Sequence, residues 1–187
     1  MNRIQDYSKL ESDINKWIKD YYYSNGIQSL VVGVSGGIDS AVVSTLCAKT
    51  GLPTYVVRMP LESTHQNTKL SDLHAQQLAE EYDNVTNVQV ELSSVYGSLL
   101  HSINWWSEAQ HFDKKEFTSD ELANANTKSR IRMVTLYQIA GAKKGIVVGT
   151  GNKVEDYGIG FYTKYGDGGV DIAPIADLYK TEVRELG

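Results

Sequence analysis

"SLVVGVSGGIDSA" spans Ser29–Ala41, an apolar run that ends in glycines and is followed by an acid and a serine. The stretch Ser29–Ser35 is short, β-branched and without polar alternation, as expected of a strand buried on both faces in a parallel sheet. From Asp39 to Lys49 the pattern turns helical. Ligands of open α/β sheets collect beyond the carboxyl ends of the strands, which is where Gly33, Val34, Ser35, Gly36, Gly37, Ile38, Asp39 and Ser40 fall. Missing side chains at Gly36 and Gly37 let backbone N–H groups face an anion, and the following helix N-terminus adds positive partial charge. Ser35 and Ser40 are further hydrogen-bond donors. A phosphate or pyrophosphate is the simplest occupant. Asp39 beside it makes sense if a hard cation such as Mg²⁺ stands between carboxylate and phosphates. A plain strand-to-helix turn with a capping serine needs fewer glycines. Neither the Gly-Lys-Ser/Thr ending of Walker A nor G-x-G-x-x-G is present, which argues against a hydride-transferring dehydrogenase.

Outward from this loop, strand and helix alternate. Leu10, Ile14, Trp17, Ile18 and Tyr21 recur at helical spacing, and Asn25-Gly26 is a stop signal. Thr54–Pro60 reads as a second strand, Leu70–Tyr82 as a helix and Asn87–Leu92 as a third strand. Trp105–Phe117 is patternless and reads as a loop. Thr118 with Glu121 suggests a capping box opening a long helix that Lys143, Lys144 and Gly145 end. Between Ile131 and Ala142 its apolar residues go all the way round, which requires burial on every side, in a core or against a partner. Gly145–Asn152 is a fourth strand, and a last helix begins near Leu178. The fold class is therefore α/β, a doubly wound, mostly parallel sheet with helices on both faces.

The 187 residues suit a single domain, with 41% hydrophobic and 22% charged residues. A net charge of −5 disfavours nucleic acid as a partner. No polar-flanked apolar run is long enough for a membrane span, and the polar N-terminus does not read as a signal peptide. The one cysteine, Cys47, fits a reducing, cytoplasmic setting and a buried helical position. His65, His74, His101 and His111 have no metal-like spacing and read as structural or exposed.

The second informative block is "VVGTGNKVEDYGIGFYTKYGDGGVDIAPIADLYKTEVRELG", Val147–Gly187. Thr150 and Glu155 follow the fourth strand and so share a rim with Asp39. Two acids converging from two loops make a plausible Mg²⁺ seat. "TKYGDGG" sets Lys164 and Asp167 among glycines, a loop shaped for close ligand approach. Lys180 is able to reach a phosphate as a point charge. Taken singly, each of these charges is read as readily as a solvated surface residue.

SGGIDS resembles the pyrophosphate loop of the ATP pyrophosphatases, which include NAD, GMP and argininosuccinate synthetases and tRNA-thiolating enzymes. The loop alone does not choose among them. Together with "NTKSRIRM" (Asn126–Met133) and the block Gly149–Lys180, it resembles the NAD⁺ synthetases, of Rossmann-like, adenine-nucleotide α-hydrolase fold. That resemblance implies ATP-dependent amidation of deamido-NAD⁺ by ammonia through an adenylate, with release of AMP and pyrophosphate. It implies ATP contacts at Gly33–Ser40, Thr150 and Lys180, with Arg58 near the adenine or ribose. Asp39 and Glu155 would hold Mg²⁺ and, with Lys180, carry catalysis. Arg130, Lys164 and Asp171 would contact deamido-NAD⁺. A homodimer is also implied. The family has glycine before the asparagine where this chain has Ala125-Asn126. It also continues past the equivalent of Gly187 with a covering loop and a basic pair, so the chain is expected to bind ATP better than it turns over. A sibling adenylating enzyme, or a nucleotide-binding form without turnover, is the competing reading.

Overall fold

The computed structural model describes residues 3–61, 65–113 and 115–187, with backbone only for residues 65–67. In chain order it contains α1 (Tyr7–Ser24), β1 (Ser29–Gly33), α2 (Ile38–Lys49), β2 (Thr54–Arg58), α3 (His65–Glu81), β3 (Val85–Gln89), α4 (Ser93–Ala109), α5 (Glu121–Ala142), β4 (Gly145–Val148) and α6 (Lys180–Leu186). A wide turn of π type, Val154–Ile159, lies between β4 and α6. The four strands are parallel in the order β3-β2-β1-β4.

Burial on both faces of β1 explains its unbroken apolar character. Leu30 and Val32 join a core with Ile14 and Ile18 of α1, Val43 and Leu46 of α2, and Val183 of α6. Val31 points the other way, into a core with Tyr96 of α4 and Ala140 of α5. A third cluster, Val34, Val56, Ala75 and Leu78, fixes α3 over β2. Helices therefore cover both faces, and β1 and β4 deliver their carboxyl ends side by side. Cys47 is fully buried, and burial pushes its thiol up to about 12. His74 staples α3 to α2 through Ser44 (2.8 Å), His101 and His111 are exposed, and the His65 side chain lies outside the described residues. No helix among the described residues is long and apolar enough to cross a membrane.

Four expectations shift. Trp105–Phe117 is not all loop, because α4 runs through both tryptophans to Ala109. Its buried anchors are few, Tyr96 and Ser107, and Gly97 and the serines dilute the helical signal. The α5 cap is Asp120, which accepts the Ala123 N–H at 2.6 Å, while the Thr118 hydroxyl donates to Asn104. β3 starts two residues earlier than its apolar run, since Asn84 docks on the carbonyls of Ala48 and Leu52 and fixes the strand's entry. The apolar residues of Ile131–Ala142 are not buried all round: only Ala140 is fully buried, and Val134 is 61% exposed. α5 packs on one face of the sheet and leaves its outer face open within the chain.

Candidate active site

The loop between β1 and α2 is fastened by its own serines. The Ser35 N–H donates to Ser40 Oγ (3.2 Å), and the Ser40 hydroxyl donates to the Gly37 carbonyl (2.9 Å). The Gly37 N–H donates to Ser35 Oγ (3.2 Å). Gly36 takes φ +88°, a conformation that side-chain-bearing residues rarely adopt. Ser40, expected to donate to a ligand, is 2% exposed and spends its hydroxyl on the loop. Its role is to hold the curve. Ala41 makes the first helical bond, back to Gly37 (3.1 Å), so the N–H groups of Ile38, Asp39 and Ser40 stand at an open helix start. Such a helix start suits an anion, held by backbone.

Asp39 projects from the first turn of α2 and Glu155 from the π-type turn after β4. The Lys180 ammonium, on the first residue of α6, donates to both, to Asp39 and to Glu155 Oε1 (3.2 Å). Burial alone would lower the pKa of Lys180, but these two acids outweigh it and raise it. The three residues expected to carry catalysis therefore meet. Asn152, which the sequence reading passed over, organises them. It is completely buried, its Oδ1 accepts the N–H groups of Val154 (3.0 Å) and Glu155 (3.2 Å), and its Nδ2 reaches Asp39 (3.5 Å). An asparagine just past a glycine-ended strand, two residues before the next helical turn, is the signal that marked it.

A small chamber of about 160 Å³ lies over these groups, walled by Ser35, Asp39, Thr150, Glu155, Asp156 and Asp167, among others. Asp156 is half-buried. Burial first, then the charges of Asp167, Glu155 and Asp39, holds its carboxyl above the usual range. So acidic a lining suits a polyphosphate accompanied by cations. The side chain of Asp156 also explains Gly151, since a Cβ there would stand 2.0 Å from its Oδ2. Ser35, Thr150 and Asp167 are shared with a larger cavity of about 500 Å³. Met59, Pro60, Leu61 and Leu136 give it apolar walls, and Thr68 and Ser71 give it polar points. An apolar pocket with a few polar groups, opening onto an anion site, suits a nucleoside bearing phosphates. Arg132 fixes this wall by donating to the carbonyls of Met59 (3.3 Å) and Leu61 (3.4 Å), and burial lowers its pKa.

The remaining candidates are engaged elsewhere. Arg58 donates to Asn87 (2.9 Å) and pairs with Asp72, and it is absent from the walls of both cavities. The Asp171 carboxylate accepts the Val147 N–H (2.7 Å) and the Tyr137 hydroxyl (3.1 Å), which ties the glycine block to β4 and α5. Burial, with the charge and hydrogen bond of Asp171, pushes the Tyr137 phenol up to about 12. Arg130 donates to the Lys164 carbonyl (3.2 Å), and the Lys164 ammonium lies over Tyr165, 5.0 Å from the ring centre. Both are exposed, outside the two cavities. Asp167 instead stands where the chambers join, accepting from Ser129 (2.8 Å) and the Thr163 N–H (2.9 Å).

A family model described as NAD synthase matches residues 10–187. An NH(3)-dependent NAD(+) synthetase of Sulfolobus acidocaldarius is 39% identical over 172 residues, 92% of this chain and 56% of that protein. One from Finegoldia magna is 34% identical, with 97% of this chain and 68% of that protein aligned. The chain thus spans little more than half to two thirds of these relatives' length. Among solved structures, an NMN synthetase from Francisella tularensis superposes with a TM-score of 0.84 at 31% identity, covering 98% of this chain and 70% of that one. An NH3-dependent NAD synthetase from Campylobacter jejuni gives 0.82 at 28%, covering 97% and 72%.

Proposed function

This chain belongs to the NAD synthase family, and from that premise we propose that it amidates deamido-NAD⁺ to NAD⁺ with ATP and ammonia. The observation that carries the reading is the meeting of Asp39, Glu155 and Lys180 beside the open start of α2, with Asp39 and Glu155 walling a small chamber that shares Ser35, Thr150 and Asp167 with a nucleoside-sized cavity. In the proposed reaction a carboxylate oxygen of deamido-NAD⁺ attacks the α-phosphorus of ATP, and pyrophosphate leaves. Ammonia then adds to the acyl carbon, the acyl C–O bond breaks, AMP departs with that oxygen, and a proton is lost from nitrogen.

The chain's own groups serve the first step by bringing two anions together. Backbone N–H groups at Ile38–Ser40 and the Ser35 and Thr150 side chains face the phosphates. Lys180 turns from its carboxylates towards them and offsets their charge. Asp39 and Glu155 would hold Mg²⁺: both are hard oxygen donors, and they already converge on one cation, the Lys180 ammonium. When bound, Mg²⁺ supplies positive charge that screens the polyphosphate. Asp167, at the junction of the chambers, stands where an acceptor carboxylate and the α-phosphate would meet. Arg130, Lys164 and Asp171 are proposed on the acceptor side, Asp171 by holding the glycine block.

The open outer face of α5, with Leu122 71% and Val134 61% exposed, supports a homodimer. A lone buried cysteine supports a cytoplasmic setting. The likeness to an NMN synthetase favours one second reading, amidation of nicotinic acid mononucleotide. Mass spectrometry after incubation with ATP, Mg²⁺, ammonia and each acceptor separates the two. NAD⁺ and AMP in equal amounts from deamido-NAD⁺ are expected. AMP formation only with the mononucleotide would establish the second reading, and ADP with phosphate would overturn both.

A further inference from the structure

Lys180 is presented by a turn that is clamped from the far end of the chain. Arg3 spends its guanidinium fork on that turn: Nε donates to Glu182 Oε1 (3.1 Å) and Nη2 to Glu182 Oε2 (2.8 Å). Nη2 also donates to the Asp177 carbonyl (2.6 Å), and Nη1 to its carboxylate (3.2 Å). Glu182 is 7% exposed, and its Oε2 in turn accepts the Tyr179 N–H (2.8 Å), a side-chain cap at the start of α6 one residue before Lys180. The Tyr179 ring has the Arg3 guanidinium 5.4 Å and the Lys153 ammonium 5.3 Å from its centre. Lys153 reaches the other Asp177 oxygen (2.7 Å), and its N–H donates to the Leu178 carbonyl (2.9 Å). Lys153 directly precedes the π-type turn that carries Glu155. Ile4 packs on the main core and anchors the arm. The clasp thus joins the turn bearing Lys180 to the turn bearing Glu155, and Arg3 closes it across 174 to 179 residues of sequence.

We propose that Arg3, through Glu182, Asp177 and Tyr179, is a positioning residue for Lys180, setting its ammonium over the phosphate site. The inference rests on the ATP-binding part of the reading above. Bidentate pairing to a buried carboxylate fixes direction as well as distance, which a surface ion pair does not. Arg3 and Lys180 both lie outside the walls of the two cavities, so Arg3 acts on nucleotide through the turns its clasp joins, and the cycle below separates the part carried by Lys180.

A double-mutant cycle in Mg·ATP affinity, read by calorimetry, tests it. Arg3→Met is expected to raise Kd about tenfold in the native background and less than twofold in Lys180→Met, because the group it positions is gone. Equal losses in both backgrounds would overturn the proposal. If Arg3→Met does not fold, Asp177→Ala replaces it, since that side chain is 80% exposed. It is expected to give about a threefold loss, again absent in Lys180→Met. A crystal structure of whichever variant folds, without nucleotide, reads the same claim independently. A Lys180 ammonium displaced from Asp39 and Glu155 supports it, and an unmoved one contradicts it. Failure of the native protein to bind Mg·ATP would count against the proposed function and leave the structural arm to judge the clasp.

Discussion

The loop Ser35–Ser40 and the segment Tyr157–Tyr165 border the same chamber and are built on opposite principles. The first fastens itself through Ser35 and Ser40 and turns backbone N–H groups and the Asp39 carboxylate to the chamber. The second holds its large side chains away from the protein: Tyr157 is 78%, Ile159 74%, Phe161 79% and Tyr165 65% exposed. Tyr165 also takes φ +60°, an uncommon conformation for a bulky residue, inside the turn that carries Asp167. The contrast teaches that the side proposed for the phosphates is held by bonds within the chain. The side proposed for the acceptor offers apolar surface that contacts outside the chain, from substrate or a second copy, are suited to cover.

The sharpest way to break this comparison is at Asp39. Asp39→Asn is expected to cut ATP turnover about a hundredfold or more, the cost of losing one charge-stabilising group, with the melting temperature retained. Undiminished turnover in a folded protein would remove Asp39 from the site. A smaller effect, on stability, is expected at Ser40. Ser40→Ala deprives the Ser35 N–H and the Gly37 carbonyl, both in exposed residues, of their partner and should cost about 0.5–1.5 kcal/mol in urea unfolding. A neutral result would mean that the loop is not held by its serines. The smallest stability effect belongs to the exposed segment: Phe161→Ala should stay within about 0.5 kcal/mol of the native protein. Its deamido-NAD⁺ turnover should still fall, and a large loss of stability would show that the segment is core rather than contact surface.

The sequence made the parallel sheet and the phosphate loop legible for the same reason. Burial on both faces writes an unbroken apolar strand, and close backbone approach writes glycines. The meeting of Asp39, Glu155 and Lys180 was legible because rim position and charge both appear in sequence. Ser40 and Asn152 were harder, since an inward hydroxyl and a completely buried amide look like any polar residue near a turn. The partners of Arg58 and Asp171 were hidden for the converse reason. Those partners, Asp72 at 14 residues and Tyr137 at 34 residues' separation, are set by packing that no local pattern records. α4 was partly hidden because only two of its residues are fully buried, so its apolar spacing is weak.

The account stands or falls on which phosphorus is attacked, and one isotope experiment reads that directly. Deamido-NAD⁺ carrying ¹⁸O in both nicotinate carboxylate oxygens is incubated with the protein, ATP, Mg²⁺ and ammonia, and the products are weighed. Attack through an adenylate leaves one ¹⁸O in AMP and the other in the NAD⁺ amide. Label in inorganic phosphate, with ADP as the nucleotide product, would contradict it.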